Sequence, residues 1–233
     1  MRNYIILNGV NSNTLTGLLI STLPPITKPK IRTQTEEIDG RDGDIVTKLG
    51  YSAYDKEISI GLYGNFDIDE IIAYFNNEGT IIFSNEPDKY YKYQILDQID
   101  YEKLINFKTA TVKMHVQPFK YPVTEATITI SGETTVANAG NIYSKPVINI
   151  TGSGDIEVTL NGIQIFDIDL GETETDITID TTNMEAYDPN TTELMNRQVT
   201  GDYSLFKLQA GDNTISISGD VASATISNYT RWL

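Results

Sequence analysis

The feature that most constrains this chain is a short segment at residues 117–122, where two prolines flank Phe119, Lys120 and Tyr121. The residues before it mix helical and strand patterns. The residues after it are rich in Thr, Asn, Ile and Gly and are almost purely β in pattern. Proline fixes φ and lacks a backbone N–H, so the segment predicts a stiff connector rather than a flexible linker. We therefore expect two small domains held in a fixed relation, residues 1–122 and 123–233, each large enough to bury its own core.

The two predicted domains differ in charge. Residues 1–122 carry 13 Lys and Arg against 16 Asp and Glu, whereas residues 123–233 carry 4 against 16. Most of the total net charge of −15 therefore falls in the second domain. Affinity for nucleic acid requires clustered Lys and Arg that displace counterions, so this charge balance argues against nucleic acid as a binding target.

The chain has no cysteine and a single histidine, His115. This composition excludes a disulfide scaffold, a Cys zinc site and thiol catalysis, and it leaves a Ser-His-Asp triad dependent on one residue. The apolar run near the N-terminus is too short for a signal sequence, and no stretch approaches the length of a transmembrane span. We expect a soluble chain, made in a cytosol or built into something assembled there, with no membrane insertion, no metal and no cofactor.

Local patterns in the first half predict one helix and one hairpin. Asp67 is a plausible N-cap, and apolar residues follow it at helical spacing, so a helix is expected at about 67–78. Two apolar stretches surround a turn containing Pro87, which predicts a hairpin at about 80–96. A final strand is expected from Phe107 to Val116.

The second half predicts a β-sandwich or a jelly roll. Short alternating strands recur there, and Asn161-Gly162 joins two of them with the strongest local hairpin signal in the chain. Residues 183–203 show no period and are expected to form a long loop. The predicted fold class is therefore mainly β with one helix: an α+β N-terminal domain and a C-terminal β-sandwich.

Few residues suggest catalysis or metal binding. Asp167 and Asp169 would share one strand face and could supply paired carboxylates for glycoside hydrolysis, but strands routinely expose acids to solvent. A calcium site is a further reading, although no Asp-x-Asp-x-Asp-Gly loop is present. His115 is better explained as a packed or exposed histidine on a strand than as a lone catalytic base. We therefore predict no enzyme and no catalytic, cofactor-binding or metal-binding residue.

Two groups of residues are candidates for a protein interface, and one residue is a candidate sugar contact. Arg41 and Asp42 occupy a glycine-flanked turn and suggest a turn pair or an interface pair. The cluster of Tyr90, Tyr91 and Tyr93 suggests an interface because tyrosines favour such surfaces, although strand packing explains the cluster equally well. Trp232 could stack on a sugar, although a core anchor is the simpler role.

A set of short motifs lies along the chain at residues 4–9, 24–32, 40–44, 57–62, 116–121, 138–141, 145–147, 150–155, 160–162, 211–215 and 229–232. No single motif is specific, but together they cover nearly the whole chain. In this order, the set resembles the siphophage distal tail proteins.

This resemblance implies a structural virion protein. Members of the family form a hexameric ring at the tip of a long non-contractile tail, with a ring-forming N-terminal belt domain and a galectin-like C-terminal β-sandwich. The implied partners are further copies of the chain, the tail tube protein, a tail-tip or baseplate hub protein and receptor-binding proteins. DNA would pass through the central channel without specific binding, and the chain would be assembled in the host cytoplasm.

The alternative function is a carbohydrate-binding module in which residues 123–233 recognise a host cell-surface polysaccharide. It rests on the lectin-like strand pattern and the acidic, hydroxyl-rich composition. Some family members carry extra carbohydrate-binding insertions, but this chain is too short to contain one.

Overall fold

The computed structural model describes residues 2–75 and 78–233, and β-strands dominate it throughout. The chain divides into two compact units, Met1–Val123 with Leu233, and Thr124–Trp232. Each unit has its own hydrophobic cluster. The mainly β fold class predicted from the sequence is confirmed.

The described residues of the first unit form nine strands, one 3-10 turn at Ser12–Thr14 and two short helices. The strands are β1 (Ile5–Leu7), β2 (Val10–Asn11), β3 (Leu18–Thr22), β4 (Ile31–Glu37), β5 (Asp44–Tyr51), β6 (Tyr54–Leu62), β7 (Gly79–Phe83), β8 (Lys89–Gln94) and β9 (Thr109–Pro122). Seven of them form one sheet in the order β2-β1-β7-β8-β9-β6-β3. The paired strands are antiparallel, and β7 and β8 form a hairpin around residues 84–88.

The core of the first unit lies on one face of this sheet. Side chains of a strand point alternately to opposite faces, and β6 and β9 follow this rule closely. Ile58 and Ile60 of β6 and Val112 of β9 are almost fully buried. Helix α1 (Ile68–Tyr74) adds Ile71 to the same cluster.

Both helices of the first unit start at aspartate caps. The Asp67 carboxylate accepts hydrogen bonds from the backbone N–H groups of Asp69 and Glu70, which satisfies N–H groups without a partner in the helix. The helix ends at Tyr74; residues 76 and 77 of the longer predicted helix lie outside the described residues. The second helix, α2 (Tyr101–Phe107), was not predicted, and it replaces the start of the strand expected from Phe107.

The proline segment at residues 117–122 is a strand end and not a separate connector. It is the second half of β9, where Lys120 pairs with Tyr91 and Pro122 pairs with Lys89. Strand β6 pairs only with residues 109–116, so beyond Val116 one side of β9 has no β6 neighbour. Proline is tolerated at such an edge because its missing N–H removes no ladder hydrogen bond there.

The second unit contains eight strands. They are β10 (Ile128–Thr129), β11 (Glu133–Asn138), β12 (Val147–Leu160), β13 (Ile163–Asp169), β14 (Thr175–Asp180), β15 (Glu185–Tyr187), β16 (Val199–Gly201) and β17 (Gly211–Ser227). The main path runs β10-β17-β12-β13-β16, β11 pairs with β17, and β14 pairs with β12 and β15. The pairing of the long strands β12 and β17 shifts register at two places, where the strands bend. Strand β12 therefore pairs with β14 along its first part and with β13 along its second part. The enclosed core includes Phe166 and Phe206, with ring centroids 5.6 Å apart.

The loop predicted at residues 183–203 contains regular structure. Strand β15 pairs with β14, and β16 pairs with β13. Both strands are only three residues long, so each is too short to show an alternating pattern in the sequence. Among the described residues, no helix is long and apolar enough to cross a membrane.

Candidate assembly interface

A two-stranded ribbon formed by β4 and β5 makes its own sheet, separate from the main sheet of the first unit. Eleven of the 15 residues of the two strands are exposed, including Val46 at 55% and Leu49 at 53%. An isolated hairpin is at best marginally stable in water, since it buries little apolar surface. This ribbon, which we call the free hairpin, is therefore the element of the first unit that most needs an outside contact.

The tip of the free hairpin carries the predicted pair Arg41 and Asp42. Both residues are exposed. Gly40 and Gly43 on either side adopt φ values of +80° and +78°, which glycine reaches without strain. Arg41 and Asp42 therefore remain candidates for contact with another molecule.

The root of the free hairpin is tied to the main sheet by contacts to the backbone that precedes β4. Lys56 Nζ donates to the Pro25 carbonyl at 2.9 Å, and Asn85 donates to the Pro24 carbonyl at 3.1 Å. Where β5 ends, the Tyr51 ring meets the Phe119 ring edge-on at a centroid distance of 5.6 Å. Both ends of the hairpin are thus anchored while its length is exposed.

The anchoring lysine belongs to a buried charged cluster, formed by Lys56, Glu86, Lys120 and Tyr91. Lys120 Nζ lies 2.9 Å from Glu86 Oε1, and the Tyr91 hydroxyl donates to Glu86 Oε2 at 2.6 Å. All four residues are buried. The single carboxylate is thus shared between an ammonium and a phenol, while the second ammonium, Lys56, donates to a backbone carbonyl.

Burial dominates the electrostatics of this cluster. It lowers the pKa of Lys56 to about 8, and Glu86 raises that pKa less than burial lowers it. The Lys56 ammonium also lies over the Tyr91 ring, 5.0 Å from its centroid. Burial raises the pKa of Tyr91 far above its ordinary range, and the hydrogen bond to Glu86 adds to this shift. The phenol therefore stays protonated and can donate to the carboxylate.

The structure corrects the expectation for two of the three clustered tyrosines. Tyr91 and Tyr93 are 0% and 2% exposed and belong to the core, because side chains alternate along β8 and both of these point to the buried face of the sheet. Burial raises the pKa of Tyr93 to about 12. Tyr90 points to the other face, where it stacks on Tyr121 with a centroid distance of 5.4 Å. Of the three, only Tyr90 offers surface to a partner.

Sequence reasoning missed the charged cluster, although a signal for it exists. Lys56 shares the phase of Ile58 and Ile60 on β6, and Lys120 shares the phase of Met114 and Val116 on β9. A lysine in the apolar phase of a strand is expected to be buried and paired. Applying the alternation rule to the lysines would have placed both of them inside.

The remaining sequence candidates lie apart from the free hairpin or in the other unit. Asp167 and Asp169 are exposed on β13, opposite Glu157 and Asp155 of β12, so acid faces acid across the strands. Such pairing is unfavourable and suits a solvated face. No group of three or more His, Cys, Asp or Glu side chains placed to hold a metal ion occurs in the described parts of the chain.

His115 belongs to a surface charge network in the first unit. Its Nδ1 lies 2.8 Å from Asp55 Oδ1, and Lys113 lies 2.9 Å from the other carboxylate oxygen. Hydrogen bonds from His115 and then Lys113 lower the pKa of Asp55. Trp232 of the second unit is half-buried, and its contact with a sugar stays a prediction.

Comparisons with known proteins find a family model and solved structures that resemble this chain. Residues 10–116 match the family model described as the phage tail protein RIFT-related domain. No curated protein matches the sequence.

Two solved structures resemble the chain. One is the Dit protein (gp 19.1) of phage SPP1, described as a paradigm of the hub adsorption apparatus in phages that infect Gram-positive bacteria. It is 16% identical, with a TM-score of 0.70 over 100% of both chains. The other is a chain of the phage P2 baseplate in its activated conformation with Ca, 9% identical, with a TM-score of 0.46 over 97% of both chains.

The family match covers most of the main sheet, the free hairpin and both helices of the first unit, and the SPP1 match spans both units. These findings confirm the resemblance inferred from the motifs. Residues 10–116 match the family model of the phage tail protein RIFT-related domain, and the whole chain has the fold of the SPP1 Dit protein.

Proposed function

We propose that the chain forms a homohexameric ring at the distal end of a long non-contractile phage tail. The ring joins the tail tube to the tail-tip or baseplate proteins and leaves a central channel for DNA. The observation that carries this proposal is the fold shared with SPP1 Dit over the full length of both chains, since the SPP1 protein is described as part of a hub. The role is structural and not enzymatic, in keeping with the phage tail domain in the first unit.

The first unit forms the ring in this proposal, and the free hairpin makes a principal contact with the next copy. An exposed ribbon carrying Val46, Leu49 and a charged tip leaves apolar surface in water. In the ring, the free hairpin of each copy contacts a different surface of the next copy, and repeated head-to-tail contacts of this kind close into a ring. Complete burial of one Val or Leu side chain contributes about 1.5–3 kcal/mol, so the two residues matter to the stability of each interface.

The charge of the chain supports DNA passage without DNA retention. The net charge is −15, and a protein must neutralise phosphates with Lys and Arg to hold DNA. The second unit faces other tail proteins in this proposal, with the tail tube protein, a tail-tip hub protein and receptor-binding proteins as partners. The assembled location is the virion, after assembly in the host cytoplasm.

Charge substitution on the free hairpin tests the proposed ring contact. The variant Val46→Lys with Leu49→Lys places two ammonium groups where apolar contacts are expected, and Ile163→Lys is the matched control on an exposed residue of the second unit. In sedimentation experiments we expect hexamers for the natural chain and the control, and smaller species for the hairpin variant. A hairpin variant that sediments as a hexamer would show that the ring contacts lie elsewhere.

A further inference from the structure

The second unit gathers most of its few positive charges in one place. Residues 123–233 contain four cationic side chains: Lys145, Arg197, Lys207 and Arg231. Lys207 and Arg231 both lie against the Tyr143 ring, with Lys207 Nζ 5.3 Å and Arg231 Cζ 4.5 Å from its centroid. Lys145 lies near enough for both cations to perturb its titration. We call Tyr143, Lys145, Lys207 and Arg231 the basic cluster.

A backbone bridge brings two of these lysines together. Ser144 and Leu208 form an antiparallel β-bridge, with N–H to O distances of 2.8 and 3.1 Å in the two directions. Both bridge residues are fully buried. Alternation along an extended chain therefore turns Lys145 and Lys207 to the outward side, and the antiparallel register sets them opposite each other.

Arg231 gives the cluster a fixed charge. Its guanidinium donates to the Tyr143 carbonyl through Nε while lying over the ring of the same residue, and the side chain is almost fully buried. Nearby, the Ser144 hydroxyl donates to the Tyr229 carbonyl at 2.6 Å, which ties the C-terminal residues to this segment. A preorganised guanidinium loses little side-chain entropy when it binds an anion.

The nearest acids do not neutralise the lysines by direct pairing. Among the described residues, neither Lys145 nor Lys207 forms an ion pair within 4.0 Å. Asp180 acts on Lys145 only at longer range, and its carboxylate accepts hydrogen bonds from Thr182 and Asn183. Asp202 in turn accepts from the Ser204 N–H. Each of these carboxylates therefore accepts hydrogen bonds from residues two or three positions further along its own turn.

The arrangement is unfavourable as it stands. Like charges directly opposite each other on neighbouring strands destabilise the pairing. Burial lowers the pKa of Lys145, and Lys207 and then Arg231 lower it further. An anion bound between these side chains would remove the repulsion.

We propose that the basic cluster is a binding site for a single phosphate group. Two partly exposed ammonium groups, together with the charge of the nearby guanidinium, match a phosphate better than a single carboxylate. The surrounding unit carries 16 acidic residues. With 4 cationic residues against 16 acidic ones, the unit has a net charge of −12. This net charge disfavours an extended polyanion such as duplex DNA, and an isolated phosphate group is the anion that fits.

Titration calorimetry on the full-length protein tests this site. The probes are inorganic phosphate and glycerol 3-phosphate, with acetate, glycerol and duplex DNA as comparison ligands at constant ionic strength. We expect both phosphates to bind about tenfold more tightly than acetate, which corresponds to about 1.4 kcal/mol. Glycerol and duplex DNA should show no binding.

Two variants separate the site from general charge. Lys145→Gln with Lys207→Gln should lose about tenfold or more in phosphate affinity. Arg197→Gln removes an exposed cation outside the cluster and should change the affinity less than about twofold. Circular dichroism confirms that each variant is folded.

Several results would overturn the proposal. They are no phosphate binding to the natural chain, acetate binding equal to phosphate binding, full affinity in the double lysine variant, or tight binding of duplex DNA through the same lysines. None of these outcomes depends on ring formation, so the site can fail while the proposed assembly stands.

Discussion

Replacing Lys56 by methionine tests the buried charged cluster, because methionine keeps a long side chain and removes the ammonium. In the folded chain, burial lowers the pKa of Lys56 from 10.5 to about 8; Glu86 partly opposes this shift and Lys120 adds to it. The unfolded chain exposes the same lysine to water, where it titrates near its ordinary value. Folding therefore changes the proton affinity of this residue.

The sign of the effect on stability follows from proton binding. Below pH 8 the lysine is protonated in both states, and the cost of burying its charge is fully present. Between pH 8 and 10.5 the folded chain has released the proton while the unfolded chain still binds it, so stability rises with pH. One pKa unit corresponds to about 1.4 kcal/mol, so stability should rise by about 2 kcal/mol between pH 8 and about 9.5.

Urea unfolding at several pH values measures this rise. Near-UV circular dichroism follows the first unit, because residues 1–122 contain ten of the 14 tyrosines. We expect the natural chain and the exposed-lysine control Lys48→Met to gain stability with pH, and Lys56→Met to lack that gain. At neutral pH the variant loses the hydrogen bond to Pro25, a loss of about 1 kcal/mol, but it also loses the buried charge. An equal rise in stability for Lys56→Met and the natural chain, or no rise for the natural chain, would contradict a buried Lys56 ammonium.

Three further substitutions, one in the first unit and a matched pair in the second, probe packing by denaturant unfolding. Glu86→Gln leaves Lys120 buried without its carboxylate, and we expect a loss of about 3 kcal/mol, measured against the natural chain at neutral pH; a loss below about 1 kcal/mol would contradict a buried pair. Gly201→Ala would place a Cβ 2.1 Å from the Ile165 carbonyl oxygen, whereas Gly162→Ala meets nothing within 4 Å, and both glycines have positive φ. We therefore expect about 1 kcal/mol of destabilisation at Gly162 and more than about 3 kcal/mol at Gly201, and equal losses would be inconsistent with the close backbone approach.

Much of the fold was readable from local sequence signals. Ile58, Ile60 and Leu62 alternate with Ser59 and Gly61 in the sequence, which is the pattern of a half-buried strand, and the structure places all three in the core. Asp67 predicted the start of α1 through its capping chemistry, and the capping hydrogen bonds are present. These signals depend on neighbours within a few residues, so a single sequence contains them.

The features that were missed depend on distant parts of the chain. The prolines at 118 and 122 suggested a connector, yet they fit a strand because β6 stops pairing with β9 at Val116. Helix α2 has seven residues and buries only Leu104 fully, so no extended helical period marks it. That β4 and β5 would form a sheet of their own was equally hidden, since exposure depends on which strands lie nearby.

Of the two candidate surfaces, one is marked by neighbouring residues in the sequence and the other is built from distant parts of the chain. Arg41 and Asp42 were identified because glycines mark an exposed turn locally. The basic cluster joins Lys145, Lys207 and Arg231, which lie far apart in sequence and meet only through the bridge at Ser144 and through the C-terminal residues. No spacing rule connects such positions.

Negative-stain electron microscopy of the purified full-length chain, with mass measured by light scattering, tests the proposed hub role most directly. We expect six-fold rings with a central hole and a mass six times that of the 25.9 kDa chain. Monomers at every concentration, with no ring in the images, would contradict a ring that this chain forms by itself.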